Sequence, residues 1–317
     1  MQKNSFGKLT EDSKKLNISG NSLPKPFLKW AGGKGQLLKN ISSFLPENLE
    51  HSKDLIYVEP FVGSGAVLFW LLKNYKNVSK AVINDINEDL TNSYISIKYE
   101  IDKLLNYLKK LEENYYHLKA EEQRKAFFLE KREAFNSRNN DIVKQSALLI
   151  FLNKTCFNGL YRVNSKNKFN VPFGRYKNPK ICDTENLKAV NQALQNVIIL
   201  NNDFEDTLKE VDCDNSFFYF DPPYKPISKT ASFNSYSNSS FDDKEQRRLK
   251  RFCDKLNKKN INWLLSNSDL KNNDQNDNFF DDLYEGYFIE RIKAKRAINS
   301  NGNKRGEITE LLIKNYE

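Results

Sequence analysis

Apolar positions along the chain follow two different periods. From Leu55 to Leu72, and again from Val197 onward, short apolar runs alternate with turn residues. Leu55–Glu59 (LIYVE), Lys80–Ile83, Val197–Leu200, Ser216–Phe220, Ile261–Leu265 and Ile308–Ile313 have the length and content of strands. The second, third and fourth of these run into the acids Asp85, Asp203 and Asp221. Between about Asn92 and Asn153 the apolar residues instead recur three and four apart, as in IDKLLNYLKKLEENYYHL, which predicts amphipathic helices.

The first run stops at Pro60, passes through Phe61-Val62-Gly63-Ser64-Gly65 and continues as the apolar Ala66–Leu72. Strand, tight glycine turn and helix in that order predict the opening of a nucleotide-binding βαβ unit. Asp85 then falls at the carboxyl end of the next strand, where an acid can take ribose hydroxyls. Asn158–Tyr176 alternates apolar and polar residues around Ser-Lys-Asn-Lys and reads as a basic β-hairpin. The expected organisation is a loose tail over 1–25, a doubly wound α/β domain built from 26–94 and 180–317, and a helical and hairpin insert over 95–179. Residues 225–243 read as a polar loop before a basic helix, and Arg291–Arg305 as a charged loop.

Composition narrows the class. Among 317 residues, 50 Lys and Arg stand against 41 Asp and Glu, a formal charge of +9 that favours a polyanionic partner. No apolar run approaches the length of about 20 residues that crosses a bilayer, and the start lacks the apolar core of a signal peptide. The cysteines Cys156, Cys182, Cys213 and Cys253 form no C-x-x-C pair and share the chain with two histidines. That pattern reads as buried thiols in a cytoplasmic protein and predicts no metal site.

Asp221-Pro222-Pro223-Tyr224, directly after the apolar FFYF, carries the most specific chemistry. Two prolines stiffen the backbone beyond the strand and donate no hydrogen bonds, which leaves the Pro222 carbonyl and the Asp221 carboxylate as acceptors around one point. An amino group there would donate both hydrogens and turn its lone pair toward an electrophile, with the Tyr224 ring as a stacking face for a planar base. The glycine turn alone is less specific. Gly63 and Gly65 permit a sharp turn and a close ligand approach, but Leu68 stands where a dinucleotide fingerprint has its third glycine. Lys29-Trp30-Ala31-Gly32-Gly33-Lys34 is not a phosphate loop, because Leu28 and Gly35 occupy positions that loop reserves for Gly and Ser or Thr. On that motif alone Trp30 reads as core and Lys34 as a surface charge.

Taken in order, PFLKWAGGK, the F-x-G-x-G turn, FNGLYRVN, FNVPFGRY, FYFDPPY and RAINSNG resemble the N6-adenine DNA methyltransferases of the DNA adenine methyltransferase group, the D12 class, from about Pro26 to the C-terminus. The resemblance implies a Rossmann-like S-adenosylmethionine-dependent fold with an inserted target-recognition domain. It implies that Trp30, Lys34, Phe61, Gly63, Gly65, Asp85, Asp203 and Asp221 meet S-adenosylmethionine, and that Asp221, Pro222, Pro223 and Tyr224 act on the target amine. Lys29, Phe157, Asn158, Leu160, Arg162, Pro172 and Arg175 would meet DNA, with Arg162 and Lys29 on guanines, Leu160 and Pro172 against a thymine methyl, and Arg175 on a phosphate. Phe157 departs from the family, which often has Tyr there; the ring that enters the base stack is kept and the hydroxyl lost. The implied reaction is methylation of adenine N6, within GATC, after extrusion of the base from double-stranded DNA. S-adenosylhomocysteine would be the product and no metal would take part. The implied setting is the bacterial-type cytoplasm, as a monomer or weak dimer, with a restriction endonuclease acting beside the restriction-associated members without a stable complex.

Two other classes share parts of this pattern. A nicotinamide-dependent oxidoreductase would have the glycine turn and Asp85, yet it explains neither DPPY nor the basic hairpin. A DNA-binding protein without catalysis would have the charge and the hairpin and would not need Asp221. A zinc nucleobase deaminase lacks its H-x-E and P-C-x-x-C segments here.

Overall fold

The structure is a computed structural model that describes residues 23–30, 32–211, 215–225, 241–295 and 307–317. In chain order the elements are α1 (Leu38–Ser43), β1 (Leu55–Glu59), α2 (Ala66–Asn74), β2 (Val78–Asn84), α3 (Glu88–Tyr99), α4 (Ile101–His117), α5 (Glu121–Asn136), α6 (Ile142–Thr155), α7 (Thr184–Ala193), β3 (Val197–Leu200), β4 (Ser216–Phe220), α8 (Asp243–Asn257), β5 (Asn262–Ser268), α9 (Phe279–Leu283), β6 (Phe288–Lys295) and β7 (Glu307–Lys314).

All seven strands form one sheet in the order β3-β2-β1-β4-β5-β7-β6. Neighbours from β3 to β5 pair in parallel, and β7 lies antiparallel between β5 and β6. The central strands are buried on both faces, so their sequences read as continuous apolar runs: every residue of β4 is buried. Alternate residues go to opposite sides. Tyr57, Phe217, Tyr219 and Leu264 enter a large core shared with α2, α3, α6 and α7, whereas Val58, Phe218, Phe220, Trp263 and Leu265 enter a second core shared with α8. This is a doubly wound, Rossmann-like α/β fold.

Strands β1 to β3 step outward in one direction and β4 to β5 in the other, so the topological switch lies between β1 and β4. Ligands of open α/β sheets sit outside the carboxyl ends of the strands at such a point. Here those ends lead into the glycine turn and Asp221.

The first core continues without a break into the helices after α3. Leu104, Leu108, Phe128, Phe135 and most of α6 are buried in it. Helix α6 is apolar nearly all round because α3, α4 and α5 enclose it, and Asp141 caps its start by accepting from the Val143 and Lys144 amides at 3.0 Å. The fold takes hold before residue 26: Pro24 is buried, and Lys25 and Asn186 exchange two hydrogen bonds of 2.9 and 3.0 Å.

Two expectations need correction. The charged loop expected from Arg291 onward is in its first part strand β6, which pairs along its length with β7. Its polar character belongs to a sheet edge, where charge on the exposed side discourages pairing with another chain; residues 296–305 lie outside the described residues. The expected hairpin has no continuous ladder. Its backbone pairing is limited to the isolated bridges Cys156–Phe173 and Val163–Phe169, with the Arg162–Asn170 and Asn158–Tyr176 side-chain bonds alongside. The side chain of Asn136 takes the place of a strand partner, accepting from the Phe169 amide at 2.7 Å and donating to its carbonyl at 3.1 Å.

Candidate active site

Sharp backbone geometry builds the glycine turn beyond β1. Gly63 and Gly65 have φ of +49° and +75°. A Cβ on Gly65 would lie 2.6 Å from the Tyr94 hydroxyl, and one on Gly63 would lie 3.1 Å from Trp30. Glycine is therefore required both for the dihedrals and for the space. The Gly63 amide donates to Asp85 Oδ2 at 3.1 Å and the Asn87 amide to Oδ1 at 2.9 Å, which fixes the Asp85 carboxylate against the turn. Burial pushes the Asp85 carboxyl up to about 6 despite these two bonds.

Phe61 leaves the same turn toward the second core, 5.4 Å from the Phe204 ring and edge-on to Phe241. Asp203 precedes Phe204, caps it by accepting from the Glu205 amide, and pairs with Arg248 at 2.6 Å. Glu59 ends β1 within the switch itself. Tyr57 donates to it at 2.8 Å, and burial drives its carboxyl well above the usual carboxylate range.

Lys34 is not a surface charge. Its side chain is 4% exposed, and its ammonium lies 2.7 Å from Asp221 Oδ1, donates to the Gly32 carbonyl at 3.0 Å and stands 4.5 Å from the centre of the Tyr224 ring. The same ammonium is 4.0 Å from Glu310 Oε2, which accepts the Tyr224 hydroxyl at 2.7 Å. Burial raises the Asp221 carboxyl to about 6; Lys34 opposes the rise and Glu310 adds to it. Behind the two prolines Gln246, fully buried on α8, donates to the Pro223 carbonyl at 3.3 Å and accepts from Asn267 at 3.1 Å. Pro222 is buried while Pro223 is exposed.

The expected DNA residues are mostly exposed, and a small set of contacts gathers them. Buried Asn153 bonds both backbone groups of Lys29 at 2.9 Å and the Gly159 carbonyl at 2.8 Å. Tyr176 receives the Lys29 ammonium 5.8 Å above its ring, and its hydroxyl accepts from the Asn158 amide at 3.1 Å. Phe157 donates its amide to the Pro172 carbonyl at 2.8 Å and leaves its ring 51% exposed. Lys29, Phe157, Asn158 and Pro172 are thus brought together. Arg162 lies further along, held by Asn170 at 2.7 Å, Arg175 pairs with Glu121 at 3.4 Å, and Leu160 leans on the large core.

Sequence reasoning missed Glu310, Gln246, Tyr176 and Asn153. Glu310 left a signal, a lone charge inside the apolar run of β7. The others left none, since their partners are distant in the chain. Among the described residues no three His, Cys, Asp or Glu side chains are grouped to hold a metal ion, and no helix is long and apolar enough to cross a membrane.

A Rossmann-like sheet with a glycine turn, a carboxylate held against that turn and an Asp-Pro-Pro-Tyr carboxylate meeting at its switch point is the arrangement of the methyltransferase class of α/β enzymes. Comparison with known proteins narrows the class: the model of the D12 class N6 adenine-specific DNA methyltransferases matches residues 30–298. The chain is 52% identical over 295 residues to the type II methyltransferase M.MjaIII of Methanocaldococcus jannaschii, covering 92% of this chain and 99% of the other. It is 38% identical to the type II methyltransferase M1.LlaDCHI of Lactococcus lactis subsp. cremoris, over 92% and 95% of the two chains. The DNA adenine methylase of Escherichia coli K12 is 33% identical, over 91% and 94%. The chain belongs to the D12 class of N6-adenine-specific DNA methyltransferases.

Proposed function

We propose that this enzyme takes its methyl group from S-adenosylmethionine and places it on adenine N6 within GATC in double-stranded DNA, after turning the target adenine out of the duplex. The observation that carries this reading is the Asp221 carboxylate beside the Tyr224 ring at the switch point, with one oxygen engaged by Lys34.

The residues present fit an adenosyl amino acid. Both glycines of the turn lie where a Cβ would crowd a neighbour, and Asp85 offers a desolvated carboxylate at a strand end for the ribose hydroxyls. Phe61 would face the adenine, with Asp203 at its edge and Trp30 closing the turn side. When bound, S-adenosylmethionine would supply the methyl group: the N6 lone pair would form the C–N bond as the C–S bond broke with its electrons left on sulfur, giving S-adenosylhomocysteine, and the N6 proton would pass to water.

With Lys34 on Oδ1, Asp221 keeps Oδ2 to accept one hydrogen of the target amine, and the Pro222 carbonyl accepts the other. Both bonds leave the N6 lone pair pointing away from the acceptors. Tyr224 stacks on the base, and burial of the pocket strengthens each of these contacts. No covalent enzyme intermediate is needed, and the rate gain comes from positioning.

DNA would lie across Lys29, Phe157, Asn158, Leu160, Arg162, Pro172 and Arg175, with the segment 95–179 as the recognition domain. The exposed Phe157 ring fills the space the adenine vacates, and Arg162 and Lys29 read guanines in the major groove. The type II methyltransferase names of two relatives support a role in restriction and modification, and the proposed setting is the cytoplasm, beside a cognate endonuclease without a stable complex.

The test is incubation with tritiated S-adenosylmethionine and two duplexes, one holding GATC and one with that adenine replaced, followed by nucleoside analysis. Label as N6-methyladenine in the GATC duplex alone is the expected result. Label in both would sink the assigned site, and label in neither would sink the reaction. Asp221→Ala is expected to abolish transfer while retaining DNA binding.

A further inference from the structure

Strand β7 buries one charge on an apolar face. Ile308 and Leu312 point into the large core, and Glu310, which shares their side of the strand by the two-residue alternation, stands between them with its side chain 16% exposed. A carboxylate in that position must find strong partners or cost several kcal/mol in lost solvation. Among the described residues its two partners both belong to the proposed methyl-transfer pocket: the Tyr224 hydroxyl at 2.7 Å and the Lys34 ammonium at 4.0 Å. Glu310 also sits opposite Ser268 of β5 and Ile292 of β6, so a rigid antiparallel pairing on each side sets its height above the sheet.

We propose that Glu310 is a positioning residue for methyl transfer, acting through the Tyr224 hydroxyl to hold and polarise the ring that receives the target base. This rests on the reading that transfer takes place at Asp221. Tyr224 follows two prolines at a strand end, and its ring could turn about its side-chain torsions; the bond to Glu310 selects one orientation. That orientation presents the ring face to Lys34. A phenol that donates to a carboxylate carries more electron density in its ring, which strengthens its attraction for positive charge on the face. The target nitrogen becomes cationic as the C–N bond forms, before its proton departs, and this charge develops beside the ring. Glu310 therefore favours the transition state more than the bound ground state.

The test compares Glu310→Gln, Tyr224→Phe and the double variant on full-length protein. Glu310→Gln keeps an acceptor for the hydroxyl and removes the charge; Tyr224→Phe keeps the ring and removes the bond. Each single change is expected to lower kcat about 10-fold with KM for DNA and for S-adenosylmethionine within about threefold, and the double variant to fall little further than the worse single. The acid limb of kcat/KM is expected to move to lower pH in Glu310→Gln, because one of the charges facing Asp221 is gone. Those groups are Lys34, Glu310, Tyr219 and Tyr224, with Glu59 and Tyr57 on β1 behind.

A readout independent of turnover is the ring-carbon resonance of Tyr224 in 13C-tyrosine-labelled protein without ligands, assigned by its loss in Tyr224→Phe; it should shift in Glu310→Gln. An unchanged resonance, an unchanged kcat in Glu310→Gln, or a double variant slowed by the product of the two singles would each overturn the proposal. Wild-type protein that fails to methylate adenine would overturn the underlying reading of the pocket, an outcome the resonance shift keeps distinct.

Discussion

The indole of Trp30 lies on the phenol ring of Tyr161, with centroids 5.0 Å apart and planes 26° from parallel. This stack joins the glycine-turn side of the switch point to the first arm of the basic segment. The Tyr161 hydroxyl donates to Asp89 at 2.7 Å, and Arg138 binds the other oxygen of the same carboxylate. Asp89 sits in the first turn of α3, a few residues beyond Asp85. One buried acid thus ties α3, just beyond the glycine-turn side of the switch point, to the first arm of the basic segment.

Asp89→Ala would leave Arg138 and Tyr161 facing a partly buried void. The expected cost is about 3 kcal/mol, the lower end for breaking a buried pair because Arg138 is partly exposed. Tyr161→Phe keeps the stack on Trp30 and loses one hydrogen bond, with an expected cost of about 1 kcal/mol. Urea unfolding of both variants checks the order.

Activity should depend on two acids with raised pKa. Asp85 and Asp221 are each pushed up to about 6 by burial, and in the proposed mechanism both act as ionised acceptors, Asp85 toward the ribose and Asp221 toward the amine. A plot of log kcat/KM is therefore expected to fall below about pH 6 with a slope approaching two. The stability contribution has the opposite sense. The folded state holds these protons more tightly than the unfolded chain, so what they contribute is present in acid and is lost as pH rises from about 4 through 6. A pH series of kcat/KM and of thermal melting separates the two trends.

Gly65→Ala should damage the turn. Its φ of +75° strains any side chain, and the added Cβ would stand 2.6 Å from the hydroxyl through which Tyr94 holds the Gly63 carbonyl. The expected outcome is a loss of about 1–3 kcal/mol in stability and at least tenfold weaker binding of S-adenosylhomocysteine, read by calorimetry.

Phe157→Ala should slow methylation of duplex DNA about 10-fold or more and leave S-adenosylhomocysteine binding unchanged, because the ring projects into solvent and supports nothing in the core. Phe157→Tyr should remain close to wild type. Fluorescence of a duplex with 2-aminopurine at the target position, measured with each variant, reports base extrusion directly.

How much of this was legible beforehand depended on distance along the chain. The central strands Leu55–Glu59 and Ser216–Phe220 could be read to the residue because burial on both faces leaves a continuous apolar run bounded by polar turns, and the edge strand Val197–Leu200 because it is an uninterrupted apolar run ending at Asn201. Edge strand β6 could not, since a strand half open to water and rich in charge has the composition of a loop. The hairpin over Asn158–Tyr176 was recognisable as an antiparallel excursion, but its ladder was overestimated: alternation cannot reveal that Asn136, far earlier in the chain, supplies the hydrogen bonds.

Local residue patterns were enough to establish the chemistry available: the glycine turn, the acids at strand ends, the stiff Asp-Pro-Pro-Tyr acceptor and the family to which these motifs belong. Long-range packing settled that Lys34 turns inward onto Asp221, that Glu310 of the last strand accepts the Tyr224 hydroxyl beside them, and that Asp89 joins α3 to Tyr161 and Arg138. Those choices rest on pairing buried charges and hydroxyls across long stretches of chain. Such pairing is enforced by the cost of leaving any one of them without a partner, and no local pattern records it.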